Sequence, residues 1–230
     1  MKQRYEQIQR SETTAVMVTL TISGGLQDAY SYFVRGNVFA NAQTGNVVLM
    51  AQHLFQGNLT DGLRYLFPIL AFALGVMASE QLRAMLRLQG TFHWRHVVVG
   101  IEILLLAIVG LLPVSDAFNP IANALTSFAC AMQVQAFRKV NGYAYASTMC
   151  IGNLRSGMEA FSAFLRTKEK RLLKQAGQYF LVIFLFFVGA GIGSTLPRHF
   201  RQQQYIILIA CGLLIISFFT MLQRDSNDSK

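Results

Sequence analysis

Asp28 is the residue of this sequence best placed to do chemistry. It lies in TTAVMVTLTISGGLQDAYSYFVR, residues 13–35, where it is the only carboxylate. A carboxylate in such apolar surroundings is expensive and normally faces a protein interior or a wet cavity. There it can bind a proton or cation, or anchor a polar substrate. The alternative is a structural carboxylate bonded to a freed backbone N–H or to a neighbouring span. Gln27 stands beside it, and Gly24 and Gly25 lie one turn earlier, where the missing Cβ loosens the backbone.

A second set of residues occurs twice. Thr44, Gly45 and Asn46 fall within NVFANAQTGNVVLMAQHLFQ, residues 37–56, and Gly152 and Asn153 within NGYAYASTMCIGNLRSGMEAFSAFL, residues 141–165. A Gly-Asn pair weakens a helix and frees backbone polar groups. Inside a membrane, protein or a water-filled cavity must satisfy those groups. If two half-helices meet, their partly positive N-termini and free carbonyls can bind ions or polar solutes. The plainer alternative is close helix packing with Asn bonding between helices. Asn41, Gln43, Gln133 and Gln135 add hydrogen-bonding groups near the same places.

Other polar residues read as structural. Glu102 is alone in its apolar run and is expected to tie to Arg155 or His96. Arg155 and Glu159, four apart, are expected to pair with each other. His93 and His96 have no third ligand in view. Cys130, Cys150 and Cys211 lie in apolar surroundings with no C-x-x-C, so neither a disulfide framework nor a metal site is implied. No nucleophile–base arrangement, H-E-x-x-H, phosphate loop or dinucleotide fingerprint occurs. No cofactor is expected, and an enzyme is the weaker class.

The elements that must position these residues are membrane helices. Of 230 residues 53% are hydrophobic and 13% charged, with 18 Phe; a soluble domain carries about 25% charged residues. A helix needs roughly 20 apolar residues to cross about 30 Å of hydrocarbon. Six such spans are expected: Thr13–Val34, Tyr65–Met85, His96–Val114, Pro120–Phe137, Gln178–Leu196 and Tyr205–Leu222. The first run is too long for a cleavable signal peptide, and no A-x-A-like site follows it. The two Gly-Asn segments are expected to be broken or re-entrant. The chain then forms one integral membrane domain over residues 1–230 with short solvated tails.

The net charge of +9 does not imply nucleic-acid binding, because Lys and Arg sit at the ends of apolar runs rather than in one stripe. If the two Gly-Asn segments return to their own side, 15 of the 20 Lys and Arg fall on one face. If both cross, the split is 11 against 8. The positive-inside rule favours the first arrangement, with both termini cytoplasmic.

Sliding the chain by 107 residues aligns Asp28 with Gln135, Ala29 with Ala136, and Gly45-Asn46 with Gly152-Asn153. After a seven-residue insertion, Phe72-Ala73-Leu74-Gly75 meets Phe186-Phe187-Val188-Gly189. The order span, Gly-Asn segment, span, span occurs twice, over about 13–115 and about 119–223. Three crossings per unit invert the second relative to the first, as in many transporters. Gly189 and Gly193 form a G-x-x-x-G, read as a close helix contact.

GGLQDAY followed by FANAQTGNVVLMA resembles the YoaK-like bacterial membrane proteins, the family called domain of unknown function 1275. The matching positions are Gly24, Gly25, Asp28, Ala29, Thr44, Gly45 and Asn46, with Gln135 and Ile151-Gly152-Asn153 as a weaker second element. Ile151 stands where a Thr would match the first copy. The resemblance implies a polytopic protein of the bacterial inner membrane and supplies no activity.

The combined expectation is an all-α bundle of six transmembrane helices with two broken Gly-Asn segments. It would act as a small transporter or channel for a small polar solute or ion. A non-transporting accessory protein is the runner-up, and an intramembrane enzyme comes third. Lipid is an expected partner, nucleic acid is not, and a homo-oligomer is compatible with the sequence.

Overall fold

The structure, a computed structural model, describes residues 13–86 and 94–227. The N-terminal tail, residues 87–93 with His93 among them, and the last three residues lie outside the described residues. Within them the chain forms eight α-helices: α1 (Thr14–Val34), α2 (Gln43–Phe55), α3 (Leu59–Leu86), α4 (Trp94–Leu111), α5 (Asn119–Ala136), α6 (Cys150–Thr167), α7 (Lys170–Thr195) and α8 (Ile207–Asn227). A small hairpin, β1 (Lys139–Val140) and β2 (Tyr143–Ala144), precedes α6. Its turn is Asn141-Gly142, at φ 48° and 83°, the two left-handed residues that a tight hairpin turn requires.

Two helices begin earlier than the apolar runs suggest. α7 takes in residues 170–177 of the basic stretch, because Lys, Arg, Leu, Gln and Ala are good helix formers whatever their hydropathy. α3 begins at Leu59 rather than Tyr65 and carries Pro68 inside it.

Among the described residues four segments are long and apolar enough to cross a membrane: Leu59–Leu86, Trp94–Leu111, Lys170–Arg198 and Gln203–Leu222. α1 and α5, both expected as spans, are more polar than these and also more buried. Fourteen of the 21 residues of α1 are buried, as are 12 of the 18 of α5. α3 buries five of 28 and α7 five of 26. The apolar helices thus present Phe67, Leu74, Phe184 and Phe187 outward, while the polar helices are wrapped by protein. That is the arrangement lipid demands, since polar groups in hydrocarbon are costly and apolar ones are not.

The packing repeats between the halves. α1 packs on α7 and α8, and α5 packs on α3 and α4. α2 packs on α3, α6 on α7, and α4 meets α8. Exchanging each helix of α1–α4 for its counterpart in α5–α8 turns this set of pairings into itself. The close contacts follow. A side chain at Gly189 would run into Ile22 O, and one at Gly193 would lie 2.7 Å from Leu26 O. In the other half Gly75 lies against Phe128 O, and Ser79, one turn on, donates to Met132 O at 3.4 Å. The G-x-x-x-G of α7 is therefore a contact within the chain.

Candidate functional site

Each Gly-Asn pair opens a helix rather than breaking one. Gly45 and Asn46 are the third and fourth residues of α2, and Gly152 and Asn153 hold the same places in α6. The irregular backbone lies just upstream. Asn46 Oδ1 accepts from Phe39 N at 3.0 Å, and its Nδ2 donates to Phe39 O at 2.7 Å. Asn153 Oδ1 accepts from Ala146 N at 3.4 Å, and its Nδ2 donates to Ala146 O at 2.7 Å. Each Asn thus replaces, for one loop residue, the backbone partners that an extended segment lacks.

The two Gly-Asn pairs do not face each other: α2 and α6 do not pack together. Each Asn is spent inside its own loop. Thr44 and Gly152 are exposed. What meets is the loop tips, at Gly24. Asn41 Nδ2 donates to Gly24 O at 3.2 Å. Thr148 Cγ2 lies 2.8 Å from where a Cβ on Gly24 would stand. Asn41 and Thr148 are themselves 107 residues apart. Gly25 faces the other way, where a side chain would strike Phe186 O of α7. Ala29, one turn on, packs on α7 beside Gly193. Gly24 and Gly25 sit in unbroken helix, so the pair serves close approach on two sides and not the flexibility that the sequence suggested.

Asp28 is 8% exposed. Its Oδ1 accepts from Asn41 N at 2.8 Å and Ala42 N at 3.4 Å. It therefore tethers the backbone that enters α2, at the positive end of that helix dipole. Its counterpart Gln135 does otherwise: its amide donates to Glu80 of α3.

Gln27 is fully buried and joins three elements. Its Nε2 donates to Ser23 Oγ at 3.0 Å and to Glu102 Oε1 of α4 at 3.2 Å. Its Oε1 accepts from Cys130 Sγ of α5 at 2.9 Å. Glu102 thus pairs with Gln27 of α1, and the ring of His96 lies edge-on to Phe218. Arg155 does pair with Glu159, at 2.9 Å. Gln133 Nε2 donates to Leu20 O at 3.2 Å and to Ser147 Oγ at 2.9 Å. A polar patch therefore lies in the interior in two groups, Glu102 with Gln27 and Cys130, and Gln133 with Ser147 of the second loop.

Two clefts lie at opposite ends of α5, whose 18 residues extend about 27 Å at 1.5 Å each. One, of about 540 Å³, is lined by Arg35, Asp61, Arg64, Asp116, Asn119 and Asn123, among others. The other, of about 410 Å³, brings Gln135 together with Gly152 and Asn153, beside Arg138, Tyr145 and Ser156.

Sequence reasoning missed Arg35, counted only as a topology charge. It is 1% exposed. It donates to Val109 O and Leu112 O at 2.8 Å, to Pro113 O at 2.7 Å and, through Nε, to Tyr30 Oη at 2.8 Å. A guanidinium at the carbonyl end of α4 answers both its free carbonyls and its dipole. Asn123 Nδ2 donates to Arg35 O, and Arg64 donates to Gly36 O, at 2.8 and 2.7 Å. The ends of α1 and α4 and the starts of α3 and α5 therefore gather in one place. No local signal marks Arg35. Thr148 was findable, since the 107-residue offset sets it against Asn41.

Apolar helices outside and a polar patch within define a helical membrane protein. The chain belongs to the family described as "Protein of unknown function (DUF1275)", which matches residues 16–220. It is similar to the UPF0700 transmembrane protein YoaK of Bacillus subtilis (strain 168), 26% identical over 202 residues that cover 85% of this chain and 88% of that protein. No solved structure matches the chain significantly.

Proposed function

We propose that the protein is a small transporter or channel that carries a small polar solute or ion across the bacterial inner membrane. One observation carries this reading: a buried polar patch lies between two clefts at opposite ends of α5. Two loop tips meeting inside a helical bundle supply free backbone groups where a solute could be held, as broken helices do in transporters.

The proposed topology has six crossings, α1, α3, α4, α5, α7 and α8, with α2 and α6 dipping in and returning. The Arg64–Gly36 bond supports a return of α2, because it joins the start of α3 to the end of α1. The charge distribution favours cytoplasmic termini. The two units, about 13–115 and 119–223, would then form an inverted repeat within a single membrane domain. The proposed site comprises Asp28, Gln27, Thr44, Gly45, Asn46, Gln135, Gly152 and Asn153, with Gly24, Gly25 and Ala29 as its packing motif.

The tether from Asp28 to α2 favours a second reading, a membrane protein that transports nothing. Proteoliposome swelling decides between the two. Vesicles with and without the protein are exposed to a panel of polyols, amino acids, urea, organic acids and alkali salts, and recovery of volume is followed by light scattering. Transport predicts faster recovery for at least one solute. Recovery equal to that of protein-free vesicles across the panel overturns it.

A further inference from the structure

The centre of the polar patch holds buried polar groups to which the chain supplies no partner. The amide nitrogens of Asn41 and Gln133 are spent on Gly24 O, Leu20 O and Ser147 Oγ. Their oxygens, Asn41 Oδ1 and Gln133 Oε1, have no hydrogen-bond partner, and neither has Thr148 Oγ1. These residues are 5%, 0% and 5% exposed. The three residues pack around Gly24, which they meet through Asn41 Nδ2, Gln133 Nε2 and Thr148 Cγ2. Gln133 Nε2 and Ser147 O each stand 3.6 Å from the position a Cβ there would take.

A buried polar group without a partner bears its full desolvation cost; the two amide oxygens can only accept, so they call for a donor or a cation, and the Thr148 hydroxyl can turn its lone pairs to the same ligand. The donor set is amide, hydroxyl and main-chain oxygen, which suits a hard ion. Among the described residues no three of His, Cys, Asp and Glu come together to hold a metal, and neutral oxygens without a carboxylate cage suit a singly charged ion better than a divalent one. One carboxyl group, that of Asp28, adjoins Asn41. Its Oδ1 accepts the Asn41 N–H, while Glu102 bonds to Gln27, whose Oε1 also accepts a hydrogen bond from Cys130 Sγ.

We propose that Asn41, Gln133 and Thr148, one residue from each loop tip and one from α5, form a binding site for a monovalent alkali cation beside Gly24. As the identity of the transported species this rests on the transport reading, but binding is measured without transport.

The test uses the purified full-length protein in detergent at constant ionic strength, with choline chloride replaced stepwise by lithium, sodium or potassium chloride. Thermal unfolding is followed at each step. The expected result is a saturable rise in melting temperature with at least one alkali cation. Thr148→Val, which removes an oxygen and keeps the shape, should weaken the apparent affinity at least tenfold, and Thr148→Ser should restore it. If Thr148→Val does not fold, Gln133→Glu takes its place, and its added charge should tighten binding several-fold. Equal melting in choline and every alkali salt overturns the site. So does a saturable rise whose midpoint is the same in the variants. Binding without flux in proteoliposomes removes the transport reading and keeps the site. Flux without alkali-cation binding does the reverse.

Discussion

Asn46 and Asn153 provide the sharpest test of what the repeated motif is for. Each makes two bonds to one loop residue and a third to its own first turn, Asn46 to Gln43 Oε1 at 2.9 Å and Asn153 to Met149 O at 2.8 Å. Truncation to Ala leaves the N–H and C=O of Phe39, or of Ala146, without partners. An unsatisfied buried group costs about 1–3 kcal/mol. Both loops are part-buried, so the lower half of the range applies, and each variant should lose on the order of 2–4 kcal/mol. For a chain of this length that corresponds to a fall in melting temperature of roughly 5–10 °C. The two losses should agree within about 1 kcal/mol and add in the double variant, because distant sites are usually independent. Thermal unfolding in detergent measures all three variants. If Asn46→Ala melts within about 2 °C of the wild type, the loop-closing role is wrong. If it also loses flux in proteoliposomes, Asn46 is a solute ligand instead.

Further outcomes follow from other contacts. Gly189→Ala should cost the upper end of the roughly 1–3 kcal/mol typical of overpacking, or more, because its methyl would meet Ile22 O. Gly191→Ala, with nothing within 4 Å, should be close to neutral, and equal unfolding midpoints would refute the packing account. Arg35→Met should destabilise by about 3–5 kcal/mol by stripping the end of α4, and Arg35→Lys should recover only part, since an ammonium lacks the guanidinium fork; a silent Arg35→Met in thermal unfolding counts against this. Asp28→Asn keeps an acceptor for Asn41 N and Ala42 N, so the loss should be only about 1 kcal/mol, and any flux should fall sharply. A stable variant with full flux would remove Asp28 from the transport path. Lys170→Cys should react with a membrane-impermeant thiol reagent only from the cytoplasmic side and Asp61→Cys only from the other; labelling of Lys170→Cys from outside refutes the topology.

The sequence by itself determined that this is a helical membrane protein, the approximate extent of its helices, the Arg155–Glu159 pair and the internal correspondence at 107 residues. These are local properties or repeated ones. Hydropathy, helix propensity and i, i+4 spacing are carried by neighbouring residues, and a repeat is visible by self-comparison. It also marked Asp28 and the two Gly-Asn pairs as unusual, because polar groups in apolar runs are costly wherever the chain goes. What those groups do was decided only by the tertiary structure. The motif Asn residues turned back into their own loops, while Asn41 and Thr148 met at Gly24. Glu102 found Gln27 across 75 residues, and Arg35 found the carbonyls of α4 across 74 to 78. The physical reason is that a buried polar group accepts any partner of the right sign within about 3 Å. Which partner comes that close depends on how helices distant in sequence pack, and here small residues such as Gly25, Gly75 and Gly189 let them approach nearly backbone to backbone.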